Sequence, residues 1–219
     1  MLVAMSRIIL HDYFRSSAAY RVRIALNLKQ VTYESAPVSL LDGEQKAAEY
    51  RSLNPQAMVP ALEVDGHILT QSLAIIGWLE ATYPEPRLLP GDPLDAAQVR
   101  AMALIVACDI HPLNNLRVLK RLSSLDVAQD KRDDWYRHWV REGFAALEIL
   151  ASRTAGKFLF GDSPSLADVC LVPQMFNARR FDLVLDDFPI LVRADAEANR
   201  LEAFASAHPD RVAPPAAND

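Results

Sequence analysis

The sequence is poor in features that would assign it to several common functional classes. It has only two cysteines in 219 residues, Cys108 and Cys170, and they form no Cys-x-x-Cys pair. This excludes a thioredoxin-type redox protein and favours buried thiols in a reducing compartment. No apolar run approaches the roughly 20 residues of a membrane-spanning helix, and the amino-terminal segment lacks a signal-peptide pattern. We therefore expect a cytoplasmic protein that contacts no membrane.

An excess of positive charge is also missing. The chain carries 28 acidic residues against 23 lysines and arginines, which gives a net charge of −5 and a pI of about 5.5. Proteins that bind nucleic acid usually show a basic stripe and a high pI, so no nucleic-acid partner is predicted. With 51% hydrophobic residues, the composition is that of a globular protein. An acidic protein can still hold a local basic pocket for a small anion. No metal site is predicted.

The amino-terminal residues alternate between strand and helix patterns. The order is strand, helix, strand, then two short strands around Asp65-Gly66 and a helix that Pro84 ends. This order favours a parallel βαβ unit followed by a hairpin, and it is compatible with an α/β thioredoxin-like domain at residues 1–87. The predicted strands are 8–14, 31–38, 61–64 and 68–70, and the predicted helices are 17–28, 45–50 and 72–83.

The segment PEPRLLPGDP, rich in proline, is the best candidate for a linker, which we place at residues 88–94. Beyond it, residues 95–219 show only helical periodicity, which predicts an all-α second domain. Ser165 and Asp168 have the spacing of a capping box, a hydroxyl at the N-cap and a carboxylate three residues later. The tail at residues 213–219 is expected to fray.

The segment RSSAAYRVRIAL, residues 15–26, places Ser16 and Ser17 at the junction between the first strand and its helix. In folds with parallel βα units, ligands bind where strands end and helices begin. A helix N-terminus offers free N–H groups and partial positive charge. Two interpretations stand: the serines cap the helix, or a hydroxyl there stabilises the thiolate of a bound ligand, because the protein supplies no thiol of its own at this point.

Two further segments could bind the rest of such a ligand. In MVPAL, Pro60 is either an ordinary trans proline on an edge strand or a cis proline that displays the backbone of Val59 to an extended peptide. In TQSLAII, Ser72 is the predicted N-cap of a helix whose N–H groups can hold a carboxylate, and Gln71 adds an amide; the alternative is a plain cap. Together the three segments suit a small acidic peptide that carries a thiol.

These segments resemble the glutathione transferase superfamily, and its zeta class in particular. In the second half, DIHPLNNLRVL, GDSPSLADVCLVPQ and NARRF resemble the same class, so the resemblance extends from Ile8 to Pro209. It implies the glutathione transferase architecture, in which a thioredoxin-like domain binds glutathione and an all-α domain completes the substrate site. It also implies a homodimer.

The resemblance implies that glutathione is the cofactor and that both domains hold it. Ser16, matching the first serine of the class motif, would stabilise the thiolate, with Ser17 beside it. The other glutathione contacts implied by the matching positions are Gln45, Val59, Pro60, Gln71, Ser72, His111 and Asn115.

The substrate is expected to be a small dicarboxylate. The resemblance implies that Arg180 binds one of its carboxylates, because a guanidinium can do so bidentately. Arg15 is a second candidate for binding a substrate carboxylate. Arg179 is either a substitute for Arg180 in that role or a surface charge. Arg21 and Arg23 lie within a helix pattern and are interpreted as structural or surface charges.

The reaction implied is glutathione-dependent cis–trans isomerisation of maleylacetoacetate to fumarylacetoacetate, in tyrosine and phenylalanine breakdown. The thiolate would add to the double bond, the resulting single bond would rotate, and elimination would follow. Three alternatives stay open: isomerisation of maleylpyruvate, transfer of glutathione to α-halo acids, and a non-catalytic binding module. Ala18 stands where the class often has cysteine, which argues against reductive dehalogenation and does little against isomerisation.

Overall fold

The computed structural model describes residues 7–214, which form two compact units. Of the described residues, 7–86 and 202–214 form the first unit, and Arg87–Leu201 is the second. Residues 1–6, part of the segment searched for a signal peptide, and residues 215–219, most of the tail expected to fray, lie outside the described residues. Within the described part of the chain, none of the helices has the length and apolarity needed to cross a bilayer.

The first unit is built on a four-stranded mixed sheet in the order β2-β1-β3-β4. β1 pairs in parallel with β2 and antiparallel with β3, and β3 pairs antiparallel with β4, so the predicted βαβ unit and hairpin are confirmed. Leu10 and Leu62 face each other across β1 and β3 with no exposed surface. The strands are β1 (Ile8–Asp12), β2 (Glu34–Pro37), β3 (Ala61–Val64) and β4 (His67–Thr70).

The helices of the first unit include two from the end of the chain. The sequence assigned residues 202–214 to the helical domain, but here they pack on the first helix, where Asn27 Nδ2 donates to Ala203 O at 3.0 Å and to Ser206 Oγ at 3.1 Å. The sequence offered no signal for this, because helical periodicity does not say which unit a helix joins. The helices are α1 (Ser17–Leu28), α2 (Ala48–Leu53), α3 (Ser72–Thr82), α9 (Glu202–Ala205) and α10 (Pro209–Val212), with a 3₁₀ turn at Glu44–Lys46.

The second unit is helical, as predicted. The segment taken for a linker is part of this unit rather than a free connection: Leu88 is buried, and its carbonyl accepts a hydrogen bond from Leu166 N–H at 2.8 Å. The prolines and glycine of this segment indicated a linker, and the sequence pattern did not show that Leu88 within it is buried. The helices are α4 (Pro93–Leu104), a π-helical turn (Ile105–Ile110), α5 (Leu116–Ser123), α6 (Gln129–Ala151), α7 (Leu166–Arg180) and α8 (Pro189–Asn199).

The predicted capping box at the start of α7 is present and fully buried. Ser165 Oγ accepts from Ala167 N–H, and Asp168 Oδ2 accepts from both the N–H and the hydroxyl of Ser165 at 2.8 Å. Asp168 Oδ1 accepts from Leu159 N–H at 2.9 Å, which ties the preceding loop to the helix. Burial raises the pKa of Asp168 above its ordinary value, and these hydrogen bonds oppose that rise.

Asp168→Ala should destabilise the helical unit much more than Ser165→Ala. The aspartate variant leaves buried donors of Leu159 and Ser165 without acceptors, which costs about 3 kcal/mol, whereas the serine variant loses one cap, worth about 1 kcal/mol. Urea unfolding followed by circular dichroism measures both. Equal losses for the two variants would contradict the central position given to Asp168.

Candidate active site

The two serines lie at the amino end of α1, just beyond the carboxyl end of β1. Ser16 is the N-cap, and its Oγ accepts a hydrogen bond from Ala19 N–H at 3.3 Å. Ser17 is the first helical residue and is buried. The capping interpretation of Ser16 is therefore correct, yet capping uses only a lone pair of the hydroxyl oxygen. The Ser16 hydrogen can still be donated to a bound anion at the positive end of the helix.

Arg15 precedes the N-cap and is exposed. Its guanidinium lies over the ring of Phe14, with 4.9 Å between Cζ and the ring centroid. A cation stacked on an aromatic face is held in place while its N–H groups, which lie in the plane of the guanidinium, remain available.

Val59 and Pro60 are joined by a cis peptide bond, so the cis interpretation of MVPAL is correct. The Val59 side chain is buried in a cluster with Val38 and Tyr50. Among residues 7–214, no hydrogen bond uses the backbone N–H or carbonyl of Val59. A peptide backbone that stays unpaired beside a sheet is able to pair with an extended peptide.

At the start of α3 the structure corrects one prediction. Ser72 is not the N-cap: Gln71 occupies that position, with φ of 69°, and Ser72 is the first helical residue. The reason is that β4 ends at Thr70, so a single residue must reverse the chain before the helix. Ser72 is buried and its Oγ accepts from an N–H of Arg21 at 3.4 Å. Gln71 Nε2 donates to Gln56 Oε1 at 2.6 Å.

Gln45 lies in the 3₁₀ turn after β2 with only 7% of its surface exposed. Its Oε1 is buried and has no hydrogen-bond partner among the described residues. An acceptor buried without a donor is costly. Such an atom is therefore expected where a bound molecule supplies the missing donor.

The two glutathione contacts predicted from the second domain have structural partners of their own. His111 follows the π-helical turn, and its N–H donates to Val106 O at 3.0 Å. Asn115 is the N-cap of α5, where its Oδ1 accepts from Arg117 N–H at 3.1 Å. The carboxamide oxygen of Asn115 is thus already engaged, which the sequence did not reveal.

The two arginines at the end of α7 differ in their surroundings. Arg180 donates to Asn177 Oδ1 at 3.1 Å and lies near the rings of Phe176 and Phe181. It is exposed, and no carboxylate pairs with it among the described residues. Arg179 forms an ion pair of 2.6 Å with the buried Asp195. Arg180 is therefore the arginine of the pair that is available to an external anion.

Of the two interpretations of Arg21 and Arg23, structural or surface charges, the structural one is correct, because both are only 2% exposed; their burial and partners were not predicted. Arg23 donates to Asp12 Oδ2 at 2.5 Å, to Phe14 O at 2.9 Å and to Ala207 O at 3.1 Å. It thus holds the loop that leads to Ser16. The spacing of these arginines could have indicated burial. Residues two apart lie about 200° apart around a helix, so Arg21 and Arg23 cannot both lie on the solvent-facing side of α1.

Two family models match the chain: the glutathione S-transferase N-terminal domain over residues 15–82 and the C-terminal domain over residues 133–209. Because these matches cover more than half of its length, the chain belongs to the glutathione S-transferase family. The probable maleylacetoacetate isomerase of Vibrio cholerae is 51% identical over 210 residues, 94% of this chain and 97% of that protein. The maleylacetoacetate isomerase of Mus musculus is 46% identical over 205 residues, 93% of each chain.

Solved structures give the same result. A holo maleylpyruvate isomerase, described as a bacterial zeta-class glutathione S-transferase, has a TM-score of 0.92 and 42% identity, covering 96% of this chain and 100% of that one. The maleylacetoacetate isomerase of Anaeromyxobacter dehalogenans 2CP-1, with dicarboxyethyl glutathione and citrate in its active site, has a TM-score of 0.86 and 42% identity, covering 98% and 99%. The resemblance to the zeta class is thereby confirmed.

Arg23→Met should destabilise the first unit by about 3–5 kcal/mol, because it leaves the Asp12 carboxylate buried without its charged partner. Adding Asp12→Asn to Arg23→Met should restore part of that loss, since the uncompensated charge is then removed. Thermal and urea unfolding of the two single variants and the double variant measure this. Additive losses in the double variant would show that the pair is not coupled.

Proposed function

We propose that this protein is a glutathione-dependent isomerase that converts maleylacetoacetate to fumarylacetoacetate. The observation that carries the proposal is the Ser16 hydroxyl at the amino end of α1, in a chain 51% identical to a probable maleylacetoacetate isomerase. The supporting comparisons include a maleylacetoacetate isomerase structure with dicarboxyethyl glutathione in its active site.

The first unit offers suitable partners for each part of glutathione. Gln45 Oε1 is a buried acceptor that lacks a donor, and the backbone of Val59 is free to pair with a peptide. The Ser72 hydroxyl, with the Arg21 guanidinium behind it, and the first N–H groups of α3 suit a carboxylate. When bound, glutathione supplies a thiolate that adds reversibly to an electron-poor double bond and so permits rotation about it.

Ser16 has the central role in this proposal. Its hydroxyl donates a hydrogen bond to the sulfur, and the positive end of α1 favours the ionised form of the thiol. Ser17, buried at the first position of the helix, supports the same turn. Pro60 fixes the backbone beside Val59, and Gln71, His111 and Asn115 are proposed as further glutathione contacts on the basis of their matching positions.

The substrate carboxylates are proposed to bind arginines. Arg180 is exposed and has only neutral hydrogen-bonding and aromatic partners among the described residues, so its charge is available to a dicarboxylate. Arg15 is likewise exposed and stacks on Phe14. Bidentate binding by guanidinium groups would orient the substrate and stabilise the negative charge that develops on addition.

Maleylpyruvate is the second candidate substrate. One observation favours it: the holo maleylpyruvate isomerase shares the fold with a TM-score of 0.92. The two acids differ by one acyl extension, and hydrophobic pockets discriminate weakly between such additions. Assays with both acids decide between them.

We further propose that the protein is a cytoplasmic homodimer. Three large apolar side chains on helices of the second unit are exposed, Leu94 by 75%, Leu104 by 43% and Ile149 by 60%, and burying such side chains against a second copy of the chain would be favourable. Both cysteines are free thiols, with Cys170 buried and Cys108 exposed. The burial predicted for Cys108 is therefore wrong, because this residue lies on an exposed side of the π-helical turn. Two unpaired thiols still suit a reducing compartment. Light scattering coupled to gel filtration measures the molecular mass in solution.

Wild-type protein should convert maleylacetoacetate only when glutathione is present. Ser16→Ala should lower kcat/KM by about 100-fold, the usual cost of removing one preorganised donor to a developing or bound anion. Ser16→Asp is the matched control for capping, because aspartate also caps helices well but repels a thiolate. It should keep the stability of the wild type and still be inactive. An active Ser16→Asp variant, or conversion without glutathione, would contradict the proposal.

Arg180→Ala should raise the KM for the dicarboxylate about tenfold, the loss expected for one charge-assisted contact, and leave the KM for glutathione unchanged. Arg179→Ala is the control, since that neighbouring arginine is paired with Asp195. Steady-state kinetics with each reactant varied separately measures both constants. A similar rise in both variants would show that Arg180 has no specific role.

A further inference from the structure

Asn54, which directly follows α2, forms hydrogen bonds with the backbone of the turn that leads to Val59. No role was predicted for it from the sequence. It is 2% exposed. Its Nδ2 donates to Met58 O at 2.7 Å, and its Oδ1 accepts from Gln56 N–H at 3.1 Å. Its own carbonyl accepts from Ala57 N–H at 2.9 Å. The carboxamide and the backbone carbonyl of Asn54 therefore bind three of the next four residues and stabilise the turn over residues 54–58.

The Met58 carbonyl receives a second donor. The Tyr50 hydroxyl donates to the same oxygen at 2.8 Å, and burial raises the pKa of Tyr50 to about 12, so this hydroxyl stays protonated at neutral pH. A carbonyl oxygen has two lone pairs. Asn54 and Tyr50 together fill both of them and fix the direction of the Met58 carbonyl toward the buried side of the turn.

Fixing that carbonyl also fixes the N–H of Val59. Met58 and Val59 are joined by a trans peptide bond, and the peptide group is planar. In a trans peptide the C=O and the following N–H point in opposite directions. Because the Met58 carbonyl points toward Asn54 and Tyr50, the Val59 N–H points away from them, and no hydrogen bond among residues 7–214 engages it.

The same carboxamide reaches a second predicted contact through Gln56. Asn54 Oδ1 holds the backbone N–H of Gln56, and Gln56 Oε1 accepts from Gln71 Nε2 at 2.6 Å. Gln71 directly precedes Ser72 at the start of α3. The turn thus connects the backbone at Val59 with the amide at Gln71.

We infer that Asn54 is a positioning residue for the peptide backbone of glutathione, a role that rests on the proposed function. It sets the Met58–Val59 peptide plane so that the Val59 N–H is presented to an extended peptide, and it holds the Gln56–Gln71 pair in register with that plane. It touches no reacting atom, so its loss should weaken glutathione binding and leave the chemical step largely intact.

The test compares Asn54→Ala, Tyr50→Phe and wild type by calorimetric titration with glutathione. Asn54→Ala should raise the Kd about tenfold, the cost of one well-aligned hydrogen bond in the complex. Tyr50→Phe, which keeps the ring and removes one of the two donors to Met58 O, should raise it about threefold. At saturating glutathione, kcat should change less than about twofold in both variants, a ratio worth under 0.5 kcal/mol.

Two further measurements separate positioning from a general loss of stability. Asn27→Ala removes a comparable side-chain donor within the same unit, to Ala203 and Ser206, and should leave the Kd at the wild-type value. In ¹H–¹⁵N spectra, the Val59 amide of the wild type should shift when glutathione is added, and in Tyr50→Phe, the milder variant, this shift should be reduced.

The outcomes distinguish this inference from the proposed function. A wild-type protein that does not bind glutathione would overturn both. Glutathione binding by wild type, with an unchanged Kd in folded Asn54→Ala or, if that variant does not fold, in Tyr50→Phe, would overturn the role of Asn54 alone. A fall in kcat equal to the rise in Kd would also overturn it, because a positioning role for the peptide backbone does not slow the chemical step.

Discussion

The candidate site depends first on one buried guanidinium. Arg23 binds the carboxylate at the end of β1, the carbonyl of Phe14 in the loop that follows, and the carbonyl of Ala207 from the end of the chain. The end of β1 and the loop that follows it are thereby joined to a segment 184 residues beyond Arg23, at the entry to α1. This clamp helps to position Ser16, together with the Ser16 N–H to Tyr13 O bond at 2.8 Å and the packing of Tyr13 against the cluster of Val38, Tyr50 and Val59.

The same residues serve structure and chemistry at once. Ser16 caps α1 with its oxygen, and its hydrogen is proposed to bind the sulfur of glutathione. Val59 packs its side chain in the core and leaves its backbone unpaired. Asn54 closes a turn and, through a planar peptide group, sets the direction of a binding N–H. Each of these residues stabilises the fold and is also proposed to take part in binding, directly for Ser16 and Val59 and through a neighbouring peptide group for Asn54. The site therefore requires few residues dedicated to binding alone.

Much of this could be predicted from the sequence, and the exceptions have physical causes. The parallel βαβ unit, the hairpin at Asp65-Gly66 and the capping box at Asp168 follow from local patterns, and the structure confirms them. The Ser72 cap was misplaced by one residue because a one-residue connection shifts the helix start. Burial of Arg21 and Arg23, packing of residues 202–214 on α1 and the Asn54 turn depend on contacts distant in sequence or on side-chain bonding, which periodicity does not report.

The amino end of α1, with the Ser16 hydroxyl, is proposed to hold a glutathione thiol in its ionised form. The most direct test is a pH titration of the thiolate ultraviolet absorbance of glutathione bound to the wild-type protein. A free thiol titrates at a pH of about 8.5, and we expect a midpoint well below that value for the bound thiol. A bound thiol that titrates like the free one would contradict the claim, even if the protein binds glutathione tightly.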